Sequence, residues 1–384
     1  MNRTGRCLLI TFVESFATIL VQRGVYFYSA SKLGFSDAQN LWVALLAGGT
    51  YVAAALLSHR LTVALGERRV VRLAVAGQLL VHVALAFFAP IPAVVVVAAA
   101  AIGLFSGAKW PVMESFVAAG RTPRETAAVM GRFNLCWASA IPLSLAATGP
   151  IIAHIPAGLF VLAGVLNAAS LILARRLPAR PVHLAEDHPE RLADGERKRL
   201  AGLLAASRWQ LLVSYSLLWI LAALLPHVFS SLGFAVAWAA AMAGLIDAVR
   251  VVAFGVFHRW QGWHGRVAPL VVAMAAMPTG FFMILFGPNL AVVLAGELIL
   301  GFATGMAYSA ALYYAMVVHS ASVDAGGAHE ALIGTGFVVG PAAQLAGLGL
   351  AGTLGGVLGG TIAGVGPLIV LAAAGSLWAL RRPG

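Results

Sequence analysis

Twelve long apolar runs, each parted from the next by a short polar or proline-bearing piece, occupy nearly the whole chain. They cover about 7–28, 41–57, 70–89, 93–118, 128–153, 156–174, 209–226, 236–257, 267–287, 290–317, 328–353 and 354–380. The hydrocarbon core of a bilayer, about 30 Å thick, is crossed by a helix of about 20 apolar residues, so each run is of membrane-spanning size. Helix is the expected conformation throughout, because an open strand leaves its backbone unpaired in lipid and the runs lack the alternation of a barrel. The first run stands where a secretory leader would, but it is too long and carries Glu14 at its middle, which predicts an uncleaved first span.

The polar pieces are as regular as the runs. Threaded as alternating spans, the chain places all but four of its 25 Lys and Arg residues on one side. Arg60, Arg68, Arg69, Arg72, Arg121, Arg124, Arg132, Arg259, Arg266, Arg381 and Arg382 all fall there, whereas Pro90-Ile91-Pro92, His154-Ile155-Pro156 and Pro288-Asn289 mark the opposite side. Such a bias belongs to the cytoplasmic loops of membrane proteins, so both termini are expected in the cytoplasm and the chain in the plasma (inner) membrane. The exceptions are Lys32 on the far side and Arg23, Lys109 and Arg250 inside apolar runs. Composition agrees: 61% hydrophobic and 10% charged residues, with a mean hydropathy of +0.91, contrast with roughly 25% charged residues in a soluble domain. The net charge of +11 is spread loop by loop rather than over one face, which argues against a nucleic-acid partner. Cys7 and Cys136 fit neither a disulfide framework nor a metal site.

Two halves are expected, 1–174 and 209–384, joined by a basic linker over 175–208. The linker carries eight Arg or Lys against five Asp or Glu, and an in-plane amphipathic helix is predicted from Pro189 to about Ala206. The halves repeat one another at an offset of 198 to 199 residues. His59-Arg60 with Gly66 recurs as His258-Arg259 with Gly265, Gly103-Leu-Phe-Ser-Gly107 as Gly301-Phe-Ala-Thr-Gly305, and Pro142 as Pro341. Two similar bundles can rock about a site near the membrane midplane. Glycines four apart let neighbouring helices approach closely, for sliding or for static packing alike.

This arrangement, with its central basic linker and a short basic loop after the second span, resembles the major facilitator superfamily of secondary transporters over essentially the whole chain. In the loop, Gly66-Glu67-Arg68-Arg69 matches the second part of the family's signature. His59 and Val63 stand at the signature's leading glycine and acidic positions, and His258 and Gly262 at those of the second copy, which removes the acidic partner of the family's gating pair. The antiporters' glycine-proline motif is missing from the fifth span, and a fragment of it, Gly336-Phe-Val-Val-Gly340-Pro341, stands in the eleventh. The resemblance implies an all-α membrane protein of twelve helices in two pseudo-symmetric six-helix bundles, with spans one, four, seven and ten around a central cavity.

Ionisable groups inside a bilayer are costly, so each is a functional candidate. Seven stand out: Glu14, Arg23, Lys109, Glu114, Asp247, Arg250 and Glu297. Asp247 and Arg250, three apart, share a helix face and can neutralise one another. Arg23 lies near the outer surface, where a long side chain snorkels or meets a solute, and nine residues from Glu14 it faces almost the other way. Lys109 beside Trp110 and the kink-making Pro111 resembles part of a binding site for an anionic or hydroxylated solute. Glu114, nearer the cytoplasmic end, is expected to cap the helix or pair with loop arginines. Glu297 has no base nearby in sequence and is a candidate proton carrier, or else a carboxylate reaching the outer vestibule. Tyr215, Trp219, Tyr308, Tyr313 and Tyr314 offer aromatic and hydroxyl surfaces for a pocket or for packing, and Asn134 and Gln344 add polar groups.

Enzymatic signals are lacking. His329-Glu330 begins a metalloprotease-like string, but Ile333 stands where its second histidine belongs, and no phosphate-binding loop is present. No cofactor or metal is expected. The chain thus predicts a monomeric secondary transporter that moves a small solute, with a proton as the leading coupling ion. Efflux of apolar compounds competes with this reading, as do a receptor or a membrane enzyme.

Overall fold

The computed structural model describes residues 3–118, 120–121, 123–180, 194–318 and 323–381. Arg382 and the predicted helix start at Pro189 lie outside the described residues. The fold is all α, and the described residues contain no strand. Its helices are α1 (Arg3–Gln22), α2 (Gly24–Leu33), α3 (Asp37–Leu65), α4 (Glu67–Phe88), α5 (Pro92–Ala118), α6 (Pro123–His154) and α7 (Gly158–Ala174) in the first half. The second half has α8 (Asp194–Ser231), α9 (Val236–Ala243), α10 (Leu245–Arg259), α11 (Ala268–Phe286), α12 (Leu290–Val318), α13 (Val323–Leu350) and α14 (Val357–Arg381). They make twelve spans, because α1 with α2 and α9 with α10 are single spans broken at Arg23 and Gly244. Eleven are long and apolar enough to cross a membrane by themselves, and α7, with 17 residues, is the short one. Large apolar side chains such as Leu80, Phe87, Val97 and Val272 point outward, as a lipid-facing surface requires.

Local sequence sets the helix ends. Ser36 opens α3 with a capping box, its hydroxyl accepting from Gln39 N–H while the Gln39 side chain accepts from Ser36 N–H. Gly66 closes α3 at φ +82°, a conformation that side chains avoid. The helix expected in the membrane plane after Pro189 is instead the start of α8. With 38 residues at 1.5 Å each, α8 is about 57 Å long, far more than the bilayer core, so its first turns project beyond the membrane.

The internal repeat is visible in the packing. A Cβ on Gly103 would stand 2.1 Å from the Ala47 carbonyl oxygen and 2.6 Å from the Thr50 hydroxyl. Its counterpart Gly301 is held against Ile246 and Val249, at 2.5 and 2.9 Å. Ala47 and Ile246, like Thr50 and Val249, are themselves 199 residues apart. The next pair repeats the correspondence, Gly107 lying against Tyr51 and Gly305 against Ala253 and Arg250. In each half, therefore, the fourth span lies backbone to backbone on the second.

Candidate functional site

A cavity lies between the two bundles, with a volume of about 110 Å³ counted as room for the centre of a water molecule. Arg23, Trp110, Tyr215, Trp219 and Tyr308 line it, from spans one, four, seven and ten. Spans two, five, eight and eleven contribute as well, through Tyr51, Trp137, Arg250 and Glu330. The wall is strongly aromatic: Trp219 stacks on Phe337 at 3.7 Å between ring centres, and Tyr308 lies 5.3 Å from Trp137. Such rings present an apolar body with a polar handle.

One wall carries charge. Arg23 sits at the joint between α1 and α2, and its Nη1 donates to Asp247 Oδ2 at 3.2 Å, linking the two bundles. Asp247 also accepts from Arg250 Nη1 at 3.0 Å, the expected pairing along one helix face. Arg250 Nη2 donates to the Tyr215 hydroxyl at 3.1 Å, and the guanidinium lies 5.5 Å from the Trp137 and Tyr215 ring centres. Arg23 is thus a partner of Asp247 rather than a snorkelling side chain, and two cations share one carboxylate at the cavity edge.

Lys109 is elsewhere. Wholly buried, it donates to Glu14 Oε2 at 2.7 Å, Gln78 Oε1 at 2.6 Å and Thr18 Oγ1 at 3.2 Å. Asn167 donates to Glu14 Oε1 at 3.0 Å, and its Oδ1 lies 2.7 Å from His82 Nδ1. Every member of this network belongs to the N-terminal bundle. The expectation that Lys109 contacts solute is overturned by helix geometry, since neighbours along a helix point about 100° apart. Trp110 therefore faces the cavity while Lys109 faces the bundle interior. Thr18 and Trp110, whose ring centre lies 4.9 Å from Lys109 Nζ, join the network to the cavity wall.

Two other expectations change. Glu114 forms no ion pair among the described residues; it lines the cavity with Glu330, close enough for the two carboxyls to interact. The Tyr51 hydroxyl donates to Glu330 Oε2. Glu330 was visible in the sequence only as part of a failed metalloprotease string, although an acid about two turns inside an apolar helix was the signal that could have found it. Glu297 is wholly buried rather than turned to an outer vestibule, and neither of its oxygens has a hydrogen-bond partner among the described residues. Asp247 and Arg23 are the charges that act on it.

The remaining candidates lie apart from the cavity. The Tyr314 hydroxyl accepts from Gly265 N–H at 3.0 Å, and Tyr313 stacks on His264 at 3.9 Å. Asn134 accepts from Trp137 Nε1, and Gln344 donates to Thr361. In the basic loop, Arg68 donates to the Leu177 carbonyl at 3.1 Å, tying the loop to the chain just beyond α7. Arg69 lines a shallow pocket with Arg72 and Arg175. Among the described residues no group of three or more His, Cys, Asp or Glu side chains is placed to hold a metal.

Two six-span bundles around a mid-membrane cavity are the architecture of a secondary transporter. The chain belongs to the Major Facilitator Superfamily, whose family model matches residues 7–343. No curated protein sequence matches it. Among solved structures it resembles a variant of the nucleoside transporter NupG, with a TM-score of 0.68 at 12% identity, over 99% of this chain and 98% of that one. It also resembles the human organic anion transporter MFSD10 (TETRAN), with a TM-score of 0.65 at 16% identity, over 99% of both chains. At such identities the likeness is one of fold.

Proposed function

We propose that this protein is a proton-coupled secondary transporter that carries a small polar solute through its central cavity by alternating access. The observation that carries the reading is the cavity itself, bounded by both bundles and bearing the Arg23–Asp247–Arg250 cluster on one wall. Arg23, Trp110, Tyr215, Trp219 and Tyr308 are the proposed solute contacts. Arg250 and Asp247 orient Arg23, and Asp247 is the carboxylate that releases it when the bundles part. Glu297, an acid without partners near that cluster, supports a proton as coupling ion, because a buried carboxyl without a partner is tolerated only when neutral. Glu14, committed to Lys109, is a structural ion pair in this reading. A monomer in the plasma membrane with both termini in the cytoplasm suits the distribution of basic loops.

The aromatic lining favours one second reading, efflux of apolar compounds in exchange for protons. A thermal-shift screen of the purified protein against nucleosides, sugars, amino acids, organic acids and apolar drugs separates the two. The best ligand is then followed into proteoliposomes. Accumulation that collapses when the pH gradient is discharged supports proton coupling, and accumulation indifferent to it removes that part of the reading.

A further inference from the structure

Tyr51, Glu114 and Glu330 form a second polar cluster across the bundle interface, which the solute site does not use. Glu114 stands near the end of α5 on the face that carries the basic loops, and Glu330 about two turns into α13 on the same side. Both carboxyls line the cavity, and both residues are at least nine-tenths buried, with exposures of 4% and 6%. Neither forms an ion pair with a base among the described residues. Glu114 Oε2 is buried without a partner among the described residues. Ionised carboxylates offer one another only acceptors, so a hydrogen bond between them exists only while one holds a proton.

The groups that face the pair are hydroxyls. Tyr51 comes from α3, Tyr215 from α8 and Tyr308 from α12, while Arg250 of α10 stands behind Tyr215 with Asp247 beyond it. From α6 come Phe133 and Trp137. His329, next to Glu330 on α13, turns toward the Tyr308 ring, 5.0 Å away between centres. Among the described residues, nothing in contact with the pair balances a second negative charge.

We infer that Glu114 and Glu330 together bind one coupling proton between the bundles, with the Tyr51 hydroxyl holding the Glu330 carboxyl in place. Bound, the proton closes α5 and α13 at this level; lost to the basic face, it leaves two like charges that push the bundles apart there. The inference rests on the reading of the protein as proton-coupled and gives that coupling a location. It also separates the tasks, with solute at the Arg23 wall and the proton at the carboxyl pair.

The test needs no solute. In the full chain carrying Cys7→Ser and Cys136→Ser, in nanodiscs, spin labels at Arg60→Cys and Ala328→Cys report the distance between the exposed ends of α3 and α13 from pH 5 to 9. The expected result is a long-distance population that grows with pH, its ratio to the short one rising up to tenfold per pH unit, as release of one proton dictates. Glu114→Gln with Glu330→Gln, a neutral hydrogen-bonding pair, stays short at every pH, and Tyr51→Phe moves the midpoint. Glu196→Gln, an exposed carboxyl on the projecting part of α8, titrates like the unaltered protein. A double Gln variant that still titrates, or an unaltered protein that does not, overturns the inference. Titration lost only in Glu297→Gln moves the proton to Glu297 and leaves proton coupling standing. Distances indifferent to pH together with transport indifferent to the gradient remove proton coupling itself.

Discussion

Two groups of buried charge lie a few side chains apart and differ in whose helices they join. The Glu14–Lys109 network joins α1, α4, α5 and α7, all of one bundle, and the ammonium has three oxygen acceptors. The Arg23–Asp247–Arg250 cluster joins one bundle to the other and, among the described residues, leaves Arg250 Nε without a partner. A buried ion pair survives only if its hydrogen bonds are met. The first group, whose charged atoms are all paired, is therefore a fastening that holds its bundle as one body, whereas the second leaves a charged N–H for a solute or a rearrangement to satisfy.

Substitutions can break that contrast. Lys109→Met strands Glu14 in an apolar interior and should cost about 3–5 kcal/mol of stability, measured by unfolding in detergent. Replacing Glu14 by Gln in the same chain should return much of the loss, and a single variant as stable as the unaltered protein would end the fastening argument. Asp247→Asn sets two guanidiniums against a neutral amide, at a cost of about 1–3 kcal/mol. Its larger effect should be on transport, read as lost uptake or efflux in proteoliposomes. Arg23→Gln removes only the link between bundles and keeps the Asp247–Arg250 pair, so about 1 kcal/mol is expected. A cysteine placed at Lys32 should then react faster with a membrane-impermeant thiol reagent, and an unchanged rate would show that the link does not hold the far side closed. Glu114→Gln should leave unfolding within about 0.5 kcal/mol of the unaltered protein, because the amide is close in size and can still hydrogen-bond toward Glu330.

The spans, the two halves and their duplication were legible because hydropathy, loop charge and a fixed offset are properties of the chain taken in order. The pairing of Asp247 with Arg250 was legible too, since three residues along a helix bring side chains together. Arg23 and Asp247 are 224 positions apart, and their meeting depends on how two helices are rotated, which periodicity does not supply. Lys109 misled for a related reason. It was read together with Trp110 because the two are adjacent, and its ammonium does lie 4.9 Å from that ring centre, yet only Trp110 lines the cavity. Glu330 was overlooked because its neighbour His329 drew attention to a motif that was not there.

Gly103 and Gly301 seat themselves on matching backbones 199 residues apart, and the number of crossings between such copies is even. A tandem copy of an even-numbered unit enters the bilayer with the same polarity as its parent. His59-Arg60 and His258-Arg259 consequently share one face without any rewriting of charge. A unit of five or seven crossings would have been born upside down, with its arginines opposing the very bias that steers insertion.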